Sequence, residues 1–300
     1  MKFIYTYWTK PIFCNNQTPK ATSAPPMNGE RTKLMLLHSI ALLNNITDNI
    51  DILTDDNGIS FLKENGILDK LKFNSIKNSL NEIDDYNVDL WGISKLYGLS
   101  LYDEPVCHID FDFMIMNHKY FKNILLESVF DLIVQSKEGS SSYDELYKEA
   151  SKSFFLIAHN KFNLYKEYKE FFYESCYRFV YNCGILGFKN LEAKEEYLNK
   201  AIPIFQKLNA DPELINQFYN FNTLFSKKVG TRVGVLNINC VLEQYLLTIW
   251  SNFKNLYVKE LMPMSRWNNI INSNSNQIYG NKNICEEYKH YLGDTKKYFF

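Results

Sequence analysis

Between Lys2 and Met116 the chain alternates short β-branched and aromatic runs with stretches of helical periodicity, and this alternation restricts the fold more than any other feature. Lys2–Trp8, Leu71–Ile76 and Pro105–Met116 read as strands, and Asp51–Gly58 as a strand running into a turn. Glu30–Leu43, with Leu34, Leu37, His38, Ala41 and Leu42 at helical spacing, Ile59–Asn65 and Asp89–Tyr102 read as helices. Parallel neighbours require long crossovers and helices supply them, so the pattern predicts βαβ units and a mostly parallel sheet covered on both faces. Such sheets bind ligands beyond the carboxyl ends of their strands, where Tyr7-Trp8, Asp55 and the 105–116 stretch arrive.

The second half is less regular. Phe130–Gln135 reads as a strand, Ser136–Ser142 as a polar connection, and Tyr143–His159 and Leu164–Ser175 as helices. Arg178–Phe188 is a strand interrupted by Asn182, Gly184 and Gly187; glycine inside a strand marks a close approach of ligand or backbone. Helices over Leu191–Leu208 and Val235–Trp250 enclose a segment that reads as irregular, and Asn255–Met262 reads as a last strand.

Composition removes several function classes. The chain has 300 residues, 46% of them hydrophobic, enough for one large domain or two small ones. A net charge of −1 leaves no electrostatic footprint for nucleic acid. The six cysteines are scattered and mostly lie in apolar runs, which suits buried thiols better than disulfides or zinc. Lys10 and Pro11 leave no room for a signal-peptide core, and no apolar run reaches the roughly 20 residues of a membrane span. A cytoplasmic protein is expected, with room for peripheral contact at the inner face of a membrane.

The chemistry concentrates in Pro105–Met116. Alternation along a strand puts His108, Asp110 and Asp112 on one side and Ile109, Phe111 and Phe113 on the other. Two carboxylates buried on one face cost several kcal/mol or take up a proton. A hard divalent cation relieves both problems, and Mg²⁺ and Mn²⁺ are commonly shared between one or two carboxylates and substrate phosphates. Asp-x-Asp also arises by chance. Three readings are therefore weighed: a metal-dependent transferase, a metal-dependent phosphodiester hydrolase or nucleotidyltransferase, and a non-catalytic α/β interaction scaffold.

Read together, the segments carry a resemblance. An Asp-x-Asp strand, then Asn182-Cys183-Gly184, then Glu243-Gln244 and a terminal His290-x-x-Gly293-x-x-Lys296 resemble the glycogenin and lipopolysaccharide-galactosyltransferase family of A-type glycosyltransferases and its bacterial relatives. The resemblance implies a single α/β domain over 1–300, Rossmann-like, with a nucleotide-binding half at 1–135 and an acceptor-side half at 136–300. It implies Mn²⁺ or Mg²⁺ held by Asp110, Asp112 and His290, and a UDP-hexose donor. Its acceptor would be a glycan, lipid-linked glycan or protein hydroxyl, reached with retention of configuration. Thr6, Tyr7, Trp8 and Asp55 would cradle the nucleotide, Asp110 would lie near the ribose, and Gly293 and Lys296 would close on the diphosphate. Asn182 and Gly184 would line the sugar pocket, while Glu243 and Gln244 would stand beside the anomeric carbon. Two departures stand out: Lys95 occupies the place of an arginine, replacing a bidentate fork by a point charge, and Tyr245 stands where the family has a second acid.

Overall fold

The computed structural model describes residues 1–13, 30–115, 118–126, 129–138, 179–229 and 238–261. The expected helices at 143–159 and 164–175, and His290, Gly293 and Lys296, lie outside the described residues.

Strands β1 (Lys2–Tyr7), β2 (Ile50–Thr54), β3 (Ser75–Lys77), β4 (Val106–Ile109), β5 (Leu132–Glu138), β6 (Val180–Phe188) and β7 (Val258–Glu260) form one seven-stranded sheet in the order β3-β2-β1-β4-β6-β5-β7. All neighbours pair in parallel except those of β6, which runs against both β4 and β5. The fold is α/β with a mostly parallel sheet. From β1 the chain builds to one side through β2 and β3 and then returns to place β4 on the other. This reversal makes the carboxyl ends of β1 and β4 a topological switch point, where open α/β sheets leave a crevice.

Helices cover both faces, as a strand buried on both sides demands; every residue of β1 is buried. On one face Ile4, Leu53, Val106, Val134 and Leu186 pack with residues of α4 (Ile93–Ser100), α6 (Leu191–Ala210), α7 (Pro212–Val229) and α8 (Leu246–Phe253). On the other, Phe3, Tyr5, Ile52, Cys107 and Ile133 pack with residues of α2 (Glu30–Asn44), α3 (Asp56–Glu64) and α5 (His118–Leu126). The single turn α1 (Lys10–Phe13) follows β1. No helix among the described residues is long and apolar enough to cross a membrane.

Four expectations are corrected. β4 stops at Ile109, because the Phe113 N–H bonds back to the Asp110 carbonyl at 2.9 Å and closes a turn that takes both aspartates out of the strand. The 89–102 helix is shorter: a 3₁₀ turn over Val88–Leu90 precedes α4, which begins only after Gly92. β5 runs on to Glu138, so Ser136 belongs to the sheet. The segment that reads as irregular contains α7, whose signals were present: proline at the first helical position and Leu214, Ile215, Phe218 and Tyr219 buried at helical spacing.

Candidate active site at the carboxyl end of the sheet

The chain leaving β1 is held from two sides. Asp55, just beyond β2, caps α3 by accepting the Gly58 N–H at 2.7 Å, and also accepts the Thr9 N–H at 2.7 Å and the Thr9 hydroxyl at 2.8 Å. From the other side Lys10 donates to the Asp84 and Tyr86 carbonyls, and the Trp8 indole donates to Asp84 Oδ1 at 3.3 Å. Asp55 therefore serves to fasten this loop, since it is only 3% exposed and its oxygens are engaged. Thr6, Tyr7 and Trp8 are likewise buried, with Tyr7 packed between Phe61 and Phe111. Thr9 was missed in the sequence. The Asp-x-x-Gly at 55–58 is a helix N-cap pattern and was the available sign that Asp55 serves a turn.

Beside β1, β4 delivers His108 and Asp110 to the crevice. His108 Nε2 shares a 2.8 Å hydrogen bond with the Thr6 hydroxyl, and its Nδ1 lies 3.5 Å from Asp110 Oδ1. Burial first, and the Lys95 charge second, push the imidazole well below its ordinary pKa, so it is neutral. The Asp110 side chain remains 35% exposed, open to a ligand. Asp112 follows in the turn, half-buried.

Lys95 ties the site together. It projects from α4, which lies close against β1 because a methyl group on Gly98 would come within 2.8 Å of Thr6. Lys95 is 4% exposed, and its ammonium meets an acceptor for each of its three donors. These are Asp110 Oδ1 at 3.0 Å, the Cys183 carbonyl at 2.7 Å and the Glu243 carboxylate. Burial works against the charge, yet the two carboxylates outweigh it and hold Lys95 above its usual range.

Two irregularities bring those acceptors in. Glu243 lies in a π-helical segment, Cys240–Tyr245, a geometry that recurs at functional sites. Asn239, at its start, accepts the Gly92 N–H at 2.8 Å and donates to the Asp89 carbonyl at 2.7 Å, stapling this segment to the turn that opens α4. β6 is bulged: Val134 pairs with Leu186 and Ser136 with Asn182, so three residues, Cys183–Ile185, oppose Gln135 alone. The bulge turns the Cys183 carbonyl to Lys95 and the Gly184 carbonyl to the Asp110 N–H at 2.8 Å, while Asn182 Oδ1 takes the Gly184 N–H at 2.9 Å.

Burial, and then the nearby Glu243 and Asp112 carboxylates, raise Asp110 to about 7 despite Lys95. Among the described residues, Lys95 is the cation that Asp110 and Glu243 share.

A model of DUF6734, described as a family of unknown function, matches residues 1–299. The chain belongs to this family. No curated protein matches this DUF6734 chain. Similar solved structures include apo mouse xyloside xylosyltransferase 1, 10% identical with a TM-score of 0.41, covering 86% of this chain and 84% of that one. The 4-diphosphocytidyl-2C-methyl-D-erythritol synthase from Anaerococcus prevotii is 11% identical with a TM-score of 0.38, covering 87% and 86%. Galactosyltransferase LgtC, in complex with donor and acceptor sugar analogues, is 10% identical with a TM-score of 0.38, covering 72% and 70%. With each of these scores below 0.5, the fold of this DUF6734 member rests on its sheet topology.

Of the residues singled out in the sequence, Asp110, Lys95, Glu243, Asn182 and Gly184 converge, with Thr6 one hydrogen bond away through His108. Gln244 is half-buried beside Glu243 in the π segment. Tyr245, in place of a second acid, is 6% exposed and belongs to the core.

Proposed function

We propose that this chain is a metal-dependent glycosyltransferase, moving a hexose from a UDP-linked donor to a hydroxyl acceptor with retention of configuration. The observation that carries the reading is Lys95 held between Asp110 and Glu243 at the switch point, with an open carboxylate facing the crevice. Loss of a nucleoside diphosphate leaves an oxocarbenium-like sugar, and prepositioned carboxylates stabilise that positive charge without reorganising. Lys95 keeps Asp110 and Glu243 from repelling each other and so sets where their charge lies. The rigid Trp8–Lys10 segment provides the wall for the nucleotide.

The Asp110 and Asp112 carboxylates are the hard oxygen donors a divalent cation takes, although no group of three ligating side chains lies together among the described residues. Asp110 and Asp112 would hold Mn²⁺ or Mg²⁺, with His290 completing the set. When bound, the ion supplies Lewis-acid neutralisation of the departing diphosphate. Gly293 and Lys296 would close over that diphosphate, and Asn182, Gly184 and Gln244 would border the sugar.

Thermal melting tests the metal-bridged donor site, because a ligand that binds only the native state stabilises it by RT ln(1 + [L]/Kd). UDP with Mn²⁺ is expected to raise Tm well beyond UDP in chelator, and Asp112→Asn to abolish the difference. Release of UDP from a panel of UDP-hexoses then reports the transfer half-reaction. Equal shifts with and without metal, together with no UDP release from any donor, would overturn the reading.

A further inference from the structure

We propose that the Gln135 carboxamide reads a ring hydroxyl of the sugar handled at this site, an inference that rests on the glycosyl-transfer reading above. Gln135 sits where β5 faces the bulge of β6, opposite Cys183–Ile185. It is 5% exposed, and among the described residues its carboxamide has no hydrogen-bonding partner. Neither of its polar atoms is among the fully buried atoms that lack a partner, so the amide keeps an edge that water or a ligand hydroxyl can reach.

Its place indicates which. Gln135 Oε1 lies over Gly184, where an added methyl group would approach it to 2.1 Å, so the missing Cβ is what makes room for the amide. Gly184 is bonded through its carbonyl to the Asp110 N–H at 2.8 Å, and Asn182 Oδ1 lies 3.3 Å from the same methyl position. Gln135 on β5 therefore lies against Gly184 on β6, whose carbonyl is bonded to Asp110 in the turn just beyond β4. A carboxamide is neutral and both donates and accepts, as a hydroxyl does, so a sugar hydroxyl can pair with either end of it. A site that pairs with a hydroxyl rejects the epimer that misplaces it, which makes Gln135 a determinant of sugar specificity. The hydroxyl belongs either to the donor hexose or to an acceptor sugar.

Gln135→Met removes the amide and keeps its length. Because the amide has no partner among the described residues, the variant is expected to melt at or above the wild-type temperature, which loss of a glutamine serving the fold would not allow. With Mn²⁺ present, calorimetry of UDP and of UDP-glucose, UDP-galactose and UDP-N-acetylglucosamine gives the increment each sugar adds. UDP alone is expected to bind both proteins equally, while the sugar increment falls about tenfold in the variant and the preference between epimers flattens. If the increment is kept but the KM for a free-sugar acceptor rises about tenfold, the hydroxyl is the acceptor's. Gly184→Ala, which pushes Oε1 aside, should repeat the loss with Gln135 still present. Retention of increment, epimer preference and acceptor KM in Gln135→Met overturns the proposal, and so does failure of that variant to fold. If wild-type protein binds no UDP with Mn²⁺, the glycosyl-transfer reading fails by itself. Saturation-transfer NMR with free hexoses then still decides on Gln135: a signal lost in Gln135→Met supports it, and no signal in wild type overturns it.

Discussion

The two ends of the central sheet each hold an aspartate, one buried and one half-exposed, and the chain treats them in opposite ways. At the amino end Asp51 of β2 is 1% exposed and accepts from Asn74 Nδ2 at 2.8 Å and Tyr102 Oη at 2.7 Å, with Lys77 and Lys2 at 3.5 and 3.7 Å. Burial opposes its charge, but the hydrogen bonds, then Lys2, outweigh it and hold the carboxyl below its ordinary range. At the carboxyl end Asp110 has Lys95, yet shares it with Glu243 and stands near Asp112, and its pKa moves up. An acid whose partners all come from its own chain is a brace. One whose pKa is raised beside a crevice is a candidate for completion by a ligand.

The largest expected effect breaks the carboxyl end. Lys95→Met leaves Asp110 and Glu243 facing each other without their shared cation, and removing one partner of a buried ionic cluster typically costs 3–5 kcal/mol. Asp110 is partly open to solvent, so about 3 kcal/mol is expected, read from the urea midpoint at constant m. Adding Glu243→Leu should restore most of that stability while UDP release stays absent. A Lys95→Met protein of wild-type stability would show that this cluster is no more strained than a surface pair.

The next effect breaks the amino end. Asp51→Asn is expected to lower stability by about 2 kcal/mol at neutral pH, since it removes a carboxylate bonded to Asn74 and Tyr102 and flanked by two lysines. A carboxyl with a depressed native pKa contributes stability above its unfolded pKa, about 3.9, and loses it as pH falls through the native value. The gap between wild type and variant should therefore close on acidification. Turnover at neutral pH should not change. A loss of UDP release larger than the loss of folded protein would tie Asp51 to the chemistry and erase the contrast between the ends.

The same contrast explains what was legible in the sequence. Strand alternation and hydrophobic periodicity are local, so the parallel sheet and the arrival of Asp55 and Asp110 at one edge could be read directly. Lys95 and Glu243 could each be singled out, but they lie 148 residues apart and nothing local announces their pairing. Asn182 and Gly184 marked an irregular strand, although which carbonyls the bulge would turn depends on β4 and α4. Gln135 looked like an ordinary strand residue because its environment comes entirely from the bulge opposite. The end of β4 was misjudged because a run of Ile, Phe and Met carries the strand pattern across a turn closed by one backbone hydrogen bond.

The smallest expected effect on stability has the opposite sign to that of Asp51. In chelator, with no cation to offset the charge, native Asp110 binds its proton up to about pH 7, whereas the unfolded chain releases it near 3.9. Between those values the native state carries more protons, so the Asp110 contribution makes wild-type stability fall as pH rises, by linkage. Asp110→Asn keeps the shape and lacks this term. Relative to wild type, the variant should gain between pH 5 and pH 8, by less than about 1 kcal/mol because solvent reaches the 35% exposed side chain and screens its charge. Its UDP-dependent Tm shift with Mn²⁺ should vanish at the same time. Paired urea titrations at the two pH values check the sign: if Asp110→Asn loses ground to wild type as pH rises, Asp110 is braced as Asp51 is, and the carboxyl end of the sheet holds no acid in need of a ligand.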